Sequence, residues 1–164
     1  MDSTQKLTLK NFIEADSVLN LIPHTQDGAY AISEALQAIA SPDFIVWRTN
    51  VSKDEIMQNG FDWTQVDNTT VGKARIWEWM FDNGANAIDP SKDNIRTGIN
   101  EAWKGSQSML DVRAAIYVHC KRKANILEKL FATGTGSDAS PATMVIEGSI
   151  SYLDVYYAMG WNNG

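Results

Sequence analysis

Three features of the sequence predict a mainly α fold, a compact multi-helix domain with one or two short extended segments. Apolar residues recur at helical spacing along most of the chain. Ser, Thr or Asp stands ahead of several of these stretches, where it can cap a helix start. The runs rich in strand formers, Phe44 to Trp47 and Thr143 to Ile146, are short. The 164 residues are read as a single helical domain, 1–164. A chain of this size buries roughly 70% of its unfolded surface, so it needs no crosslinks.

Leu7 to Ile22 places Leu9, Phe12, Ile13, Val18, Leu19 and Ile22 near helical spacing. It reads as one helix, or two broken near Asp16-Ser17, closed by Pro23. Gln26 to Ala40 reads as a helix with an Ile32, Leu36, Ile39 stripe, capped by Thr25 or Asp27 and ended by Ser41-Pro42-Asp43. Phe44 to Trp47 has no evident partner strand nearby and is taken as an extended connector. Ser52-Lys53-Asp54-Glu55 has the form of a capping box. It opens a short helix to about Asn59, and Gly60 follows in the left-handed conformation. Phe61 to Asn68 is a packed turn or short helix.

Asn68-Thr69-Thr70 offers a cap for a helix to about Asp82, with Val71, Ala74, Ile76, Trp77, Met80 and Phe81 on its apolar face. Asp89-Pro90 opens the next helix, lined by Ile95, Ile99, Ala102 and Trp103 and ended by Gly105. Ser108 to Gly136 carries the longest helical pattern and its closing loop, with Ser108-Met109-Leu110-Asp111 suited to a cap at its start. Met109, Val112, Ile116, Cys120, Leu127 and Leu130 form its core side. Ser151 to Met159 is a final helix with Ser151 as cap, followed by a tail that begins at Trp161.

The formal net charge is -6, from 14 basic and 20 acidic residues. That argues against a general binder of nucleic acid or anionic membranes. One cysteine, Cys120, allows no internal disulfide. The first ten residues lack the apolar core of a signal peptide, and no apolar run approaches the roughly 20 residues that cross a bilayer. A soluble protein made in a reducing cytosol is the simplest expectation.

Catalytic signals are weak. Gly134-Thr135-Gly136-Ser137 follows a helix and lacks the lysine of a P-loop, so it reads as a helix stop and a turn. His119 and Cys120 are adjacent, and neighbours in a helix point about 100° apart. With His24 the only other histidine, no zinc pattern arises, and neither a metal nor a cofactor is expected. Glu78, between Trp77 and Trp79, is expected to point outward. Partner surfaces have better candidates: Trp79 as an exposed aromatic, Arg113 with Lys121, Arg122 and Lys123 on an outer helix face, and Trp161 in the tail. The alternative for the basic cluster is a solvated helix face.

Residues 113–155 carry an Arg-Ala-Ala start, a Lys-Arg step, Glu-Lys-Leu-Phe-Ala-Thr-Gly-Thr-Gly-Ser, Ser-Pro-Ala-Thr, and a Glu-Gly…Ser…Asp-Val ending. Together with Phe44 to Thr49 (FIVWRT), this run resembles a family of small proteins from tailed-bacteriophage structural gene modules. The resemblance covers about half the chain and carries no catalytic motif. It implies a non-enzymatic virion structural protein, a head–tail connector or adaptor of the neck, assembling as a homo-oligomeric ring with portal or tail proteins. Localisation would be the virion, after synthesis in the host cytoplasm. An acidic surface would limit contact with DNA in transit to transient encounters. The alternative is an early phage protein that binds and inhibits a host factor. An enzyme built on the Gly134–Ser137 loop or a buried Glu has the least support.

Overall fold

The computed structural model describes residues 1–58 and 60–161. Its helices are Ser3–Ala15 (α1), Gln26–Ala35 (α2), Lys53–Ile56 (α3), Val71–Phe81 (α4), Asp93–Ala102 (α5), Gln107–His119 (α6), Ile126–Phe131 (α7) and Tyr152–Ala158 (α8). Leu19–Leu21 and Trp63–Asn68 are 3-10 turns. Four short strands, Ile45–Trp47 (β1), Val51–Ser52 (β2), Ala87–Ile88 (β3) and Lys121–Lys123 (β4), pair as β1 with β4 and β2 with β3. The fold is therefore mainly α, as the periodicity predicts. The chain divides into two compact units: Met1–Phe44 with Lys123–Gly164, and Ile45–Arg122.

The first unit is built from both ends of the chain. Its buried residues are mostly aliphatic: Leu9 and Ile13 from α1, Ala29 and Ile32 from α2, Leu127 from α7, Val155 and Ala158 from α8. Capping boxes start α1 at Asp2 with Gln5, α7 at Asn125 with Glu128, and α8 at Ser151 with Asp154. Each satisfies backbone N–H groups that the first helical turn leaves without partners. Thr25 caps α2 by accepting from Gly28 N. Gly28 also makes a close approach possible, since a Cβ there would lie 1.9 Å from the Pro23 carbonyl oxygen. α1 ends at Ala15 and the 3-10 turn follows, so the break near Asp16-Ser17 is real.

α2 is shorter than expected, stopping at Ala35. The segment after it is used by the returning chain: Leu127 N donates to Leu36 O, Ile126 N to Ala38 O, and Ala40 N to Ala124 O. Leu36 is buried, while Ile39, expected on the same stripe, is 59% exposed.

The second unit is contiguous. β2 and β3 pair antiparallel, Val51 with Ile88 and Ser52 with Ala87. The Ser52–Glu55 capping box forms, with Ser52 Oγ accepting from Glu55 N and Glu55 Oε2 accepting from Ser52 N. α3 ends at Ile56, short of Asn59, which lies outside the described residues. Gly60 adopts φ +94°, the left-handed conformation expected of it. α5 begins three residues after Pro90. Asp89 Oδ1 instead accepts from Ser91 N and Oγ, so residues 89–92 form a turn. α6 is capped by Ser106, two residues ahead of the expected Ser108.

The largest correction falls on Ser108 to Gly136. This stretch is two helices with a strand between them. α6 stops at His119, where Arg48 closes it: its Nη1 donates to His119 O at 3.2 Å and its backbone N to Cys120 O at 2.9 Å. A cation at a helix C-terminus is favoured by the helix dipole. Lys121–Lys123 is then extended and pairs with β1, so Ile45–Trp47 has a partner strand after all. The two helices also serve different cores. Met109, Val112, Ile116 and Cys120 pack in the second unit, Leu127 in the first.

Candidate functional site

The basic residues chosen from the sequence do not share a helix face. Arg113 is half-buried on α6, while Lys121, Arg122 and Lys123 lie on β4, where successive side chains alternate in direction. Lys123 Nζ is 2.7 Å from Asp43 Oδ2. Trp161 is half-buried, its ring stacked 4.6 Å from that of His24. Trp79 is 70% exposed on α4, and Glu78 beside it also faces solvent.

The Gly134–Ser137 loop is closed on itself. Thr133 and Thr143 exchange backbone hydrogen bonds of 2.8 and 2.9 Å, and Thr135 Oγ1 donates to Ser140 O. Gly136 is buried against Phe44, whose ring would lie 2.2 Å from a Cβ at that position. A small-residue turn is therefore present, but α7 ends on the extended Ala132, before either glycine. Cys120 is fully buried, and burial pushes its thiol up to about 12, which leaves it protonated and inert. Among the described residues no group of His, Cys, Asp and Glu could hold a metal ion, and no helix is long and apolar enough to cross a membrane.

Glu128 is the one charged residue buried among the described residues, at 1% exposure. Its carboxylate accepts from Asn125 N through Oε2 at 3.0 Å and from Gly148 N through Oε1 at 2.8 Å. It ties the 148 loop to the start of α7. Backbone donors of this kind stabilise a buried carboxylate, which gives Glu128 a structural part.

The better site lies in the second unit and is aromatic. Trp63, Phe61, Trp103, Trp77 and Phe81 form a continuous series of edge-to-face contacts. Centroids are 5.1 Å for Phe61–Trp63, 5.4 Å for Phe61–Trp103, 5.5 Å for Trp77–Trp103 and 4.9 Å for Trp77–Phe81. Such pairs each add about 1 kcal/mol beyond their area burial. The 3-10 turn that carries Trp63 is started by Asp62, whose carboxylate accepts from Thr64 N and Oγ1. These bonds, with one from Gln65, hold the Asp62 carboxyl below its usual range. Trp77 rides on α4, and Trp103 follows the end of α5.

A cleft of about 170 Å³ opens beside this series, with Met57, Phe61, Trp63, Val66, Trp77 and Trp103 in its walls. Lys53, Lys73 and Glu78 supply its charge. Lys73 Nζ donates to the backbone carbonyl of Lys104 at 2.5 Å, while the Lys104 ammonium itself pairs with Glu101. The indole N–H groups of Trp77 and Trp103 are buried without a hydrogen-bond partner among the described residues. Nothing in the sequence marks this cleft, because it is made by four segments between Lys53 and Trp103. The one available signal was the density of Trp and Phe across Phe61 to Trp103.

No family model, curated protein or solved structure matches this chain.

Proposed function

We propose that this chain is a non-enzymatic virion structural protein of a tailed bacteriophage, a head–tail connector or adaptor subunit that forms a ring or docks on one. The observation that carries this reading is the resemblance of residues 113–155 and of Phe44 to Thr49 to small proteins of phage structural gene modules. The mainly α architecture agrees with it, since helical folds suit connectors better than tail tubes; this is analogy at the level of fold. Exposed apolar side chains give the reading a physical basis. Leu21, Val18, Trp63 and Trp79 each expose more than half their surface. Of these, Val18 and Leu21 stand together on one turn, and apolar groups clustered in water favour a covering partner.

Mass spectrometry of purified particles of the encoding phage tests the proposal, together with native mass measurement in the presence of the portal or tail ring. The protein is expected in the particle and in a complex of ring mass. A strictly monomeric protein absent from particles would overturn it. Capture of one host protein from infected cells would then support the early inhibitor instead.

A further inference from the structure

The cleft beside Trp77 and Trp103 is too small for a cofactor, which needs roughly 300 Å³ or more. At about 170 Å³ it matches a single apolar side chain. A cavity of roughly 150 Å³ holds one benzene. Its walls carry Lys53 and Lys73 against one Glu78, so the cleft's own charge is positive on a chain of net charge -6. The expected guest is an apolar side chain flanked by carboxylates.

The chain itself presents one. Leu21 is 79% exposed, more than any other large hydrophobic residue described, and Val18 beside it is 69% exposed. The preceding residues include Glu14 and Asp16. Asp16 Oδ1 accepts from Val18 N and Leu19 N, both at 2.9 Å, which fixes a carboxylate at the base of the turn that displays Leu21. Glu14 is exposed, lies 3.7 Å from Lys10 Nζ in a solvent-facing pair that a second cation can share, and borders the same hollow as Leu19 and Asn20.

We propose that the cleft lined by Trp77 and Trp103 receives Leu21 from a second copy of this chain, with Glu14 and Asp16 of that copy facing Lys53 and Lys73. The two surfaces differ, so the contact is head to tail, and repetition of such a contact closes a ring when the rotation permits. This deepens the ring proposed above and rests on it for closure.

Sedimentation velocity of the full chain over a wide concentration range tests the contact. The wild type is expected to gain mass with concentration. Leu21→Ser removes the guest, and Ala74→Trp fills the cleft from its wall; each is expected to weaken association at least about tenfold, as loss of a central anchor does. An equal mixture of the two variants retains one intact cleft and one intact Leu21, and is expected to stop at a 1:1 dimer. Lys73→Glu, weakened alone and restored when mixed with Glu14→Lys, serves if Ala74→Trp does not fold. Variants that assemble as the wild type does, or mixtures that recover no dimer, would overturn the Leu21 contact and leave the ring standing. A wild type that stays monomeric overturns the contact as well, and only its absence from purified particles would overturn the ring too.

Discussion

The two units of this chain solve the same problem with different materials. The first buries Leu, Ile, Val and Ala from helices at both ends of the sequence, and three capping boxes start those helices. The second is one continuous segment whose core is strung together by Trp and Phe, with a cleft beside them. The first unit has a hollow of about 360 Å³, walled in part by Glu14, Asn20 and His24. The cleft of the second unit is smaller, about 170 Å³, and its walls are mostly apolar, which suits one apolar side chain. The difference places the candidate binding surface in the aromatic unit.

Replacing Trp103 with Ala should have the largest effect. It deletes two ring contacts and a cleft wall, and should cost about 4 kcal/mol, seen as lost amide protection in residues 45–122. A smaller loss would mean that the aromatic series contributes less than its geometry implies. Glu128→Ala is the counterpart in the first unit. It strands the N–H groups of Asn125 and Gly148 and should cost about 3 kcal/mol, read by exchange around α7.

Gly28→Ala tests the close approach of α2 to Pro23. The added Cβ forces a backbone shift and should cost about 2 kcal/mol in chemical denaturation. The smallest effect is that of acid on the second unit. Glu55 is held below the usual glutamate range, first by the Ser52 N–H and then by Arg48. A depressed carboxyl contributes stability that is present above its unfolded pKa and lost as pH falls through its folded one. Protection of α3 should therefore decline as pH drops below about 4. Glu55→Gln should flatten that decline.

Local signals were legible in the sequence where they were self-contained. Ser52 and Ser151 cap the helices expected of them, and of the alternatives Thr25 or Asp27 and Asn68 to Thr70 it is Thr25 and Thr70 that cap, because a cap is decided by the residue and the turn that follows it. The span from Ser108 to Gly136 misled because periodicity reports that a side chain is buried and says nothing of which core buries it. Cys120 and Leu127 both count as apolar hits on one helical stripe, yet they belong to different units. Asn125 with Glu128 three residues on was a readable capping box inside that stripe. The strand at Lys121–Lys123 was not readable, since its partner lies some 75 residues earlier in sequence and its stop depends on Arg48. The cleft depends on four segments meeting, so only its ingredients, the clustered aromatics, could be seen.

The interleaving of the two units has a consequence for synthesis. The ribosome releases the chain from its N-terminus, and domains form as units when their residues have emerged. Every residue of the aromatic core is available once Arg122 is out, whereas the aliphatic core waits for Val155 and Ala158. During that interval α1 and α2 exist without the helix they pack on, and Leu9, Ile13 and Ile32 lack much of their cover. Of the helices described, α8 is made after the others and completes the unit that α1 and α2 begin. A nascent chain arrested between these points would carry a finished second unit and an open first one.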